Sequence, residues 1–143
     1  MLSKNKMARD KFHDEVKSAL VKDGWQITDD PLYIKVGKIP IQIDIGAEKL
    51  IGAERNGEKI AVEIKTFGRA SFITALHEAV GKYIVYRTVL KYVKSDRILY
   101  LALPDDTYSK FGQEPIVKSI FTEYDFKILL YEPSTQIITS WIN

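Results

Sequence analysis

Asn56-Gly57 is the dipeptide that most restricts how this chain can fold. A two-residue type I′ turn needs φ > 0 at both central positions, which Asn and Gly tolerate and most residues do not. Residues 50–55 and 59–67 flank it with apolar and β-branched side chains, so the pair predicts an antiparallel hairpin. The turn also sets the register, because opposed residue numbers then sum to 113. Glu63 faces Leu50, Lys65 faces Glu48, and Glu54 is expected to pair with Lys59 beside the turn. Strand alternation puts Ile60, Val62 and Ile64 on one face, and Lys59, Ala61, Glu63 and Lys65 on the other.

The remaining elements follow from periodicity and breakers. Residues 1–6 are polar and aperiodic and read as a loose tail. From 8 to 23, Phe12, Val16, Ala19 and Leu20 fall at helical spacing and Gly24 stands at the stop position. Glu15 sits at the border of that stripe. Asp30-Pro31 signals a turn before a strand at 32–36, and Ile39, Ile41, Ile43 and Ile45 alternate as in a half-buried strand. A helix over 70–92 carries Phe72, Leu76, Ala79, Val80 and Tyr83 on one face. Residues 97–103 read as a buried strand ended by Pro104, 115–124 as a helix, and 127–131 with 136–141 as a closing strand pair. The expected fold class is α/β (α+β): one domain over 1–143, with a mixed central sheet flanked by helices.

Composition narrows the function classes. The chain has no cysteine, so disulfide frameworks and thiolate zinc sites are excluded. No apolar run approaches the ~20 residues of a membrane span and no signal-peptide core is present, so the expected location is the cytoplasm, with no membrane partner. The formal net charge of +2 is small. Residues 82–97, however, hold Lys82, Arg87, Lys91, Lys94 and Arg97 against Asp96 alone. That stretch is either a solvated helix face or a phosphate-facing strip. The two histidines, His13 and His77, lack the spacing of a metal site. The eight tyrosines serve either a core or an exposed interface.

Chemistry concentrates in Lys59-Ile-Ala-Val-Glu63-Ile64-Lys65. A carboxylate two residues before a lysine on one strand face is suited to metal-assisted phosphodiester hydrolysis. Glu63 would hold Mg²⁺ (or Mn²⁺ in its place), with the carbonyl of Ile64 as a further oxygen ligand. Lys65 would orient the attacking water or stabilise charge in the transition state. Taken alone the pattern is weak, since alternating strands with charges on a wet face produce it too. Its context is stronger. Asp44 and Glu48 precede it, Glu15 lies on a helix before both, and a long helix follows. This order resembles the αβββαβ restriction-endonuclease-like core with a PD-(D/E)xK signature.

Longer stretches sharpen the resemblance. Ala8-Arg-Asp-Lys-Phe-His-Asp-Glu-Val-Lys-Ser-Ala-Leu-Val-Lys-Asp-Gly-Trp25, Ile43-Asp-Ile-Gly-Ala-Glu48, Lys59 to Lys65 and Arg97-Ile-Leu-Tyr-Leu-Ala-Leu-Pro104 resemble the XisH family. That family is named for the fdxN element excision controlling factor of cyanobacteria. The resemblance implies a restriction-endonuclease-like fold and a role in DNA excision during heterocyst development. Its implied partners are duplex DNA, a companion controlling factor (XisI) and a site-specific recombinase, with homo-oligomerisation left open. By position it makes Asp44, Glu63 and Lys65 the site, with Glu15 supporting. In the helix after the core strands it leads one to expect Gln-Tyr, where this chain has Lys82-Tyr83.

The hairpin register and the resemblance disagree about the first acid. By the register, Asp44 lies six residues further along the ladder than Glu63 needs, roughly 20 Å. Either Gly46 or Gly52 marks a bulge or bend that folds Asp44 back, or Glu48 is the first acid. Resemblance favours Asp44 and spacing favours Glu48. Two functions also stand: a Mg²⁺-dependent endonuclease or nuclease-derived factor, and a non-catalytic module that binds DNA or a protein partner.

Overall fold

A computed structural model of the chain describes residues 4–41, 50–65 and 71–143, with side chains described over 11–38, 51–65 and 71–143. Helix α1 spans Lys4–Lys22 and is followed by strand β1 (Gln26–Asp29). Strands β2 (Ile34–Val36) and β3 (Ile39–Ile41) come next, then β4 (Leu50–Arg55) and β5 (Glu58–Ile64). Helix α2 (Phe72–Tyr92) leads into β6 (Ile98–Pro104), and a short α3 (Asp105–Thr107) runs into a π-helical turn over Tyr108–Gly112. Helix α4 (Pro115–Glu123), β7 (Ile128–Glu132) and β8 (Ile137–Ile142) complete the chain.

The hairpin forms as the Asn56-Gly57 pair requires. Asn56 and Gly57 have φ of 51° and 81°. Leu50 pairs with Glu63, and every pair down to Arg55 and Glu58 keeps the expected register. Lys59 stands opposite Glu54, but its ammonium reaches Asp96 at 3.7 Å. The β4–β5 ladder runs unbroken through Gly52, which pairs with Ala61, so Gly52 is not a bulge in this hairpin. The irregularity lies on its other side, where β1 shifts register between Ile27 and Asp29. Gly46 falls outside the described residues.

A six-stranded mixed sheet runs β1-β4-β5-β6-β7-β8. The β5–β6 and β6–β7 pairs are parallel, and the β1–β4, β4–β5 and β7–β8 pairs are antiparallel. The β2–β3 hairpin forms its own two-stranded sheet. Parallel neighbours need crossovers, and α2 supplies one between β5 and β6. This makes β5 a central strand buried on both sides, with its last five residues all buried. On one face Ile60, Val62 and Ile64 pack with Val16, Ala19 and Leu20 of α1. On the other, Ala61 packs with Ala79, Tyr83 and Leu90 of α2. The face that alternation marks as polar is therefore a second core rather than a wet surface.

Helix ends explain the element boundaries. Helix α1 begins at Lys4, ahead of the first apolar repeat, because helix continuation among residues such as Lys and Met needs no buried stripe. It stops at Gly24, whose φ is +91°. There Trp25 N donates to Leu20 O and Gly24 N to Val21 O, closing a Schellman motif. Helices α2 and α4 end in the same way, with Lys94 and Asp125 in the left-handed position. The tyrosines divide between core and surface. Tyr83, Tyr86, Tyr100 and Tyr131 are buried, whereas Tyr33, Tyr92 and Tyr124 are exposed.

Candidate functional site

Glu63 and Lys65 lie at the end of β5, on the face covered by α2. Strand alternation carries them to the side of Ala61, and the Lys65 N–H extends the ladder by donating to Ala102 O at 3.3 Å. Their exposures are 2% and 3%, so two ionisable groups are buried two residues apart. A buried ammonium is costly unless compensated. Lys65 Nζ meets Glu78 Oε2 of α2 at 2.7 Å, and the Glu78 side chain is itself 52% exposed. The Lys65 hydrogen bond and charge hold the Glu78 carboxyl below its usual range, and Lys82, one turn further along α2, adds to the effect.

Glu78 is not among the candidates that the sequence singles out. One signal was available. Glu78 borders the buried stripe of Ala75, Ala79 and Tyr83 and is four residues before Lys82. Where the resemblance leads one to expect Gln-Tyr, Tyr83 plays a structural part. Its hydroxyl donates to Leu99 O and accepts from Lys127 N, both at 3.0 Å, which ties α2 to the starts of β6 and β7.

Glu15 belongs to the α1 layer, over the opposite face of the sheet. It is 4% exposed, and Lys11 Nζ approaches its Oε1 at 3.9 Å. Burial pushes its carboxyl above the usual range; Lys11 opposes that shift and Glu132 reinforces it. Its Oε2 and the Tyr131 hydroxyl are both buried without a hydrogen-bond partner among the described residues. Burial, followed by the charge of Glu15, raises the Tyr131 phenol as well. Asp44 and Glu48 lie outside the described residues. Among the described residues no group of three His, Cys, Asp or Glu side chains is placed to hold a metal ion. No helix there is long and apolar enough to cross a membrane.

The basic stretch over 82–97 separates into committed and uncommitted charges. Arg97 Nη1 donates to Ile60 O at 2.9 Å and to Ala53 O at 3.4 Å. Its Nη2 donates to Thr28 Oγ1 at 3.2 Å and Asp29 Oδ2 at 3.0 Å. Gly52 makes room for this cluster, since a Cβ there would sit 2.9 Å from Asp29 Oδ2 and 3.1 Å from Arg97 Nη1. Arg97 is thus an internal clamp rather than part of a surface strip. His13 is likewise engaged, at 2.8 Å from Asp30 Oδ1.

The architecture defines an α+β protein with a mixed six-stranded sheet and a buried Glu-x-Lys pair at the end of its central strand. The sequence matches the XisH protein family over residues 6–139, and the chain belongs to that family. It is 48% identical to an fdxN element excision controlling factor protein from Anabaena variabilis, whose crystal structure was solved at 1.60 Å resolution. That match covers 94% of this chain and 99% of the other, with a TM-score of 0.86. An XisH family protein from Nostoc punctiforme PCC 73102, also solved at 1.60 Å, is 47% identical over 94% of this chain and 100% of the other. Its TM-score is likewise 0.86. No curated protein matches.

Proposed function

We propose that this chain is a Mg²⁺-dependent DNA endonuclease, or a nuclease-derived factor, on a restriction-endonuclease-like PD-(D/E)xK core, and that it serves excision of a DNA element. The observation that carries the reading is the burial of Glu63 and Lys65 side by side at the end of a central strand. A charged pair in that position costs folding energy that an apolar pair would not, so its retention points to use. Element order supports it. Counting only strands of the large sheet, α1-β1-β4-β5-α2-β6 runs αβββαβ. The solved relative from Anabaena variabilis is an fdxN element excision controlling factor protein.

The donor chemistry suits Mg²⁺. Glu63 offers hard carboxylate oxygens beside the Ile64 carbonyl, with Asp44 or Glu48 as the second acid, and Mg²⁺ keeps several waters and needs few protein ligands. When bound, the ion would polarise a phosphodiester and acidify a water. Lys65, held charged by Glu78, would hold a hydrogen bond to the attacking water or to the developing negative charge. Glu15 lies beside Tyr131 on the opposite face of the sheet and is not brought to Glu63 and Lys65.

One observation favours a second reading. The Lys65–Glu78 contact is a complete ion pair, which a fold can keep for packing alone. On that reading the chain binds DNA or a protein partner, such as a companion controlling factor or a recombinase, without cutting. The test is incubation with supercoiled plasmid and Mg²⁺ or Mn²⁺, beside Glu63→Ala and Lys65→Ala. The nuclease reading expects nicking or linearisation that falls at least ~100-fold in both variants, the usual scale for a positioned charge. DNA binding without cleavage, equal in all three proteins, would replace it with the binding-module reading.

A further inference from the structure

A second site lies on the α2 side of the sheet, at the other end of β5. Arg87, Lys91, Arg97 and Lys127 line one pocket of about 240 Å³, with Asp125 as its one carboxylate. Its floor comes from the starts of β6 and β7, where Ile98 stands beside Ile60; the Lys65 end lies near Ala102. Both arginines are fixed. Arg87 donates to the carbonyls of Tyr124 and Asp125 at the end of α4, at 2.5 and 3.2 Å, and its guanidinium lies 5.2 Å from the centre of the Tyr83 ring. In this way it serves the negative end of that helix. Arg97 is held by the Thr28, Asp29, Ala53 and Ile60 oxygens.

The two lysines are not used in that way. Among the described residues, neither Lys91 nor Lys127 has an ion-pair or hydrogen-bond partner for its ammonium. Ser95 Oγ accepts from Arg97 N at 3.2 Å, which leaves its own proton to donate. Four cations, two of them immobilised, against one carboxylate in a concave wall focus positive potential where a compact anion can enter. We propose that this pocket binds a phosphate group of the duplex DNA backbone. The phosphate chemistry stands on the pocket alone. The choice of DNA as its source rests on the proposed function, though not on cleavage.

The test measures fluorescence anisotropy of a labelled duplex in EDTA across a KCl series. The proteins are the wild type, Lys91→Ala/Lys127→Ala, and Lys35→Ala/Lys38→Ala as a charge-matched control on the β2–β3 hairpin. Thermal unfolding checks each fold, and Lys91→Glu, on the exposed surface, stands in if the double variant is unstable. The Lys91→Ala/Lys127→Ala variant should bind about tenfold more weakly, with the slope of log K against log salt reduced by about 1, while Lys35→Ala/Lys38→Ala binds as the wild type does. Unchanged affinity and slope, or an equal loss in Lys35→Ala/Lys38→Ala, would overturn the site. A wild type that takes inorganic phosphate at Lys91 and Lys127 by NMR but shows no duplex binding would overturn DNA as the source. Lysine-dependent binding with no cleavage in Mg²⁺ would remove the nuclease reading and leave this site in place.

Discussion

Arg97 is a partly buried cation and Lys65 a buried one on the α2 side of the sheet, yet they are held in opposite ways. Arg97, with 15% of its side chain exposed, spreads its guanidinium over four oxygens from β1, β4 and β5. All four belong to strands, so the cation behaves as a rivet through the sheet. Lys65 is more deeply buried, at 3%, but it pairs with a carboxylate on another layer with half its surface in water. A guanidinium in a ring of strand acceptors is committed, whereas an ammonium paired with a half-exposed acid can exchange partners. The difference separates a cation kept for structure from one whose partner can be changed.

The comparison can be broken at several points. The largest effect should come from Arg97→Ala, which leaves Asp29 and two carbonyls without their donor. We expect a loss of about 3 kcal/mol in urea unfolding, with Arg97→Lys recovering less than half because one ammonium cannot span the same acceptors. A loss under ~1 kcal/mol would show that Arg97 is no rivet. Gly52→Ala should cost about 2 kcal/mol by pushing Asp29 and Arg97 apart. Most of that cost should vanish in an Arg97→Ala background, a coupling that a double-mutant cycle reads directly.

Smaller effects test the Lys65 side. Glu78→Gln should cost about 1 kcal/mol at pH 7, discounted because the carboxylate is more than half exposed. Its pKa is lowered in the fold, so its contribution is present above the ordinary carboxylate range and is lost as pH falls through the folded value. Wild type and variant should therefore converge only at pH values below the ordinary carboxylate range. Glu15→Gln should show the opposite sign. The Glu15 pKa is raised, so ionisation at neutral pH works against the fold, and the penalty disappears as the acid protonates. The variant should be up to about 1 kcal/mol more stable at pH 7 and equal to the wild type near pH 4, as followed by Tm at the two pH values.

Much of the fold was legible because it rests on local chemistry. Asn56-Gly57 determined a register that holds residue for residue, and Gly24 marked the end of α1 through the one backbone conformation that suits it best. Burial on the second face of β5 was not legible. Alternation tells which side chains share a face, but whether that face meets water depends on where α2 lands after its crossover. The same gap concealed Glu78, which joins the site only because α2 lies over β5. Glu63 and Lys65 were found because their spacing is local. The fixed roles of Arg87 and Arg97 were not legible, because their acceptors are backbone oxygens and, for Arg97, side chains of a strand distant in sequence.

Helix α2 carries Glu78 near its start and Lys91 near its end, each serving a different site. Thirteen residues of α-helix separate them, roughly 20 Å at a rise of ~1.5 Å per residue. A helix is a stiff rod, so this spacing behaves as a ruler rather than as a loop length that can drift. At ~3.4 Å per step along one strand, the rod matches about six base pairs of B-form DNA. On the proposed reading, the two contacts would fall at a fixed span of duplex, with the tyrosine bolt at Tyr83 keeping the ruler from sliding.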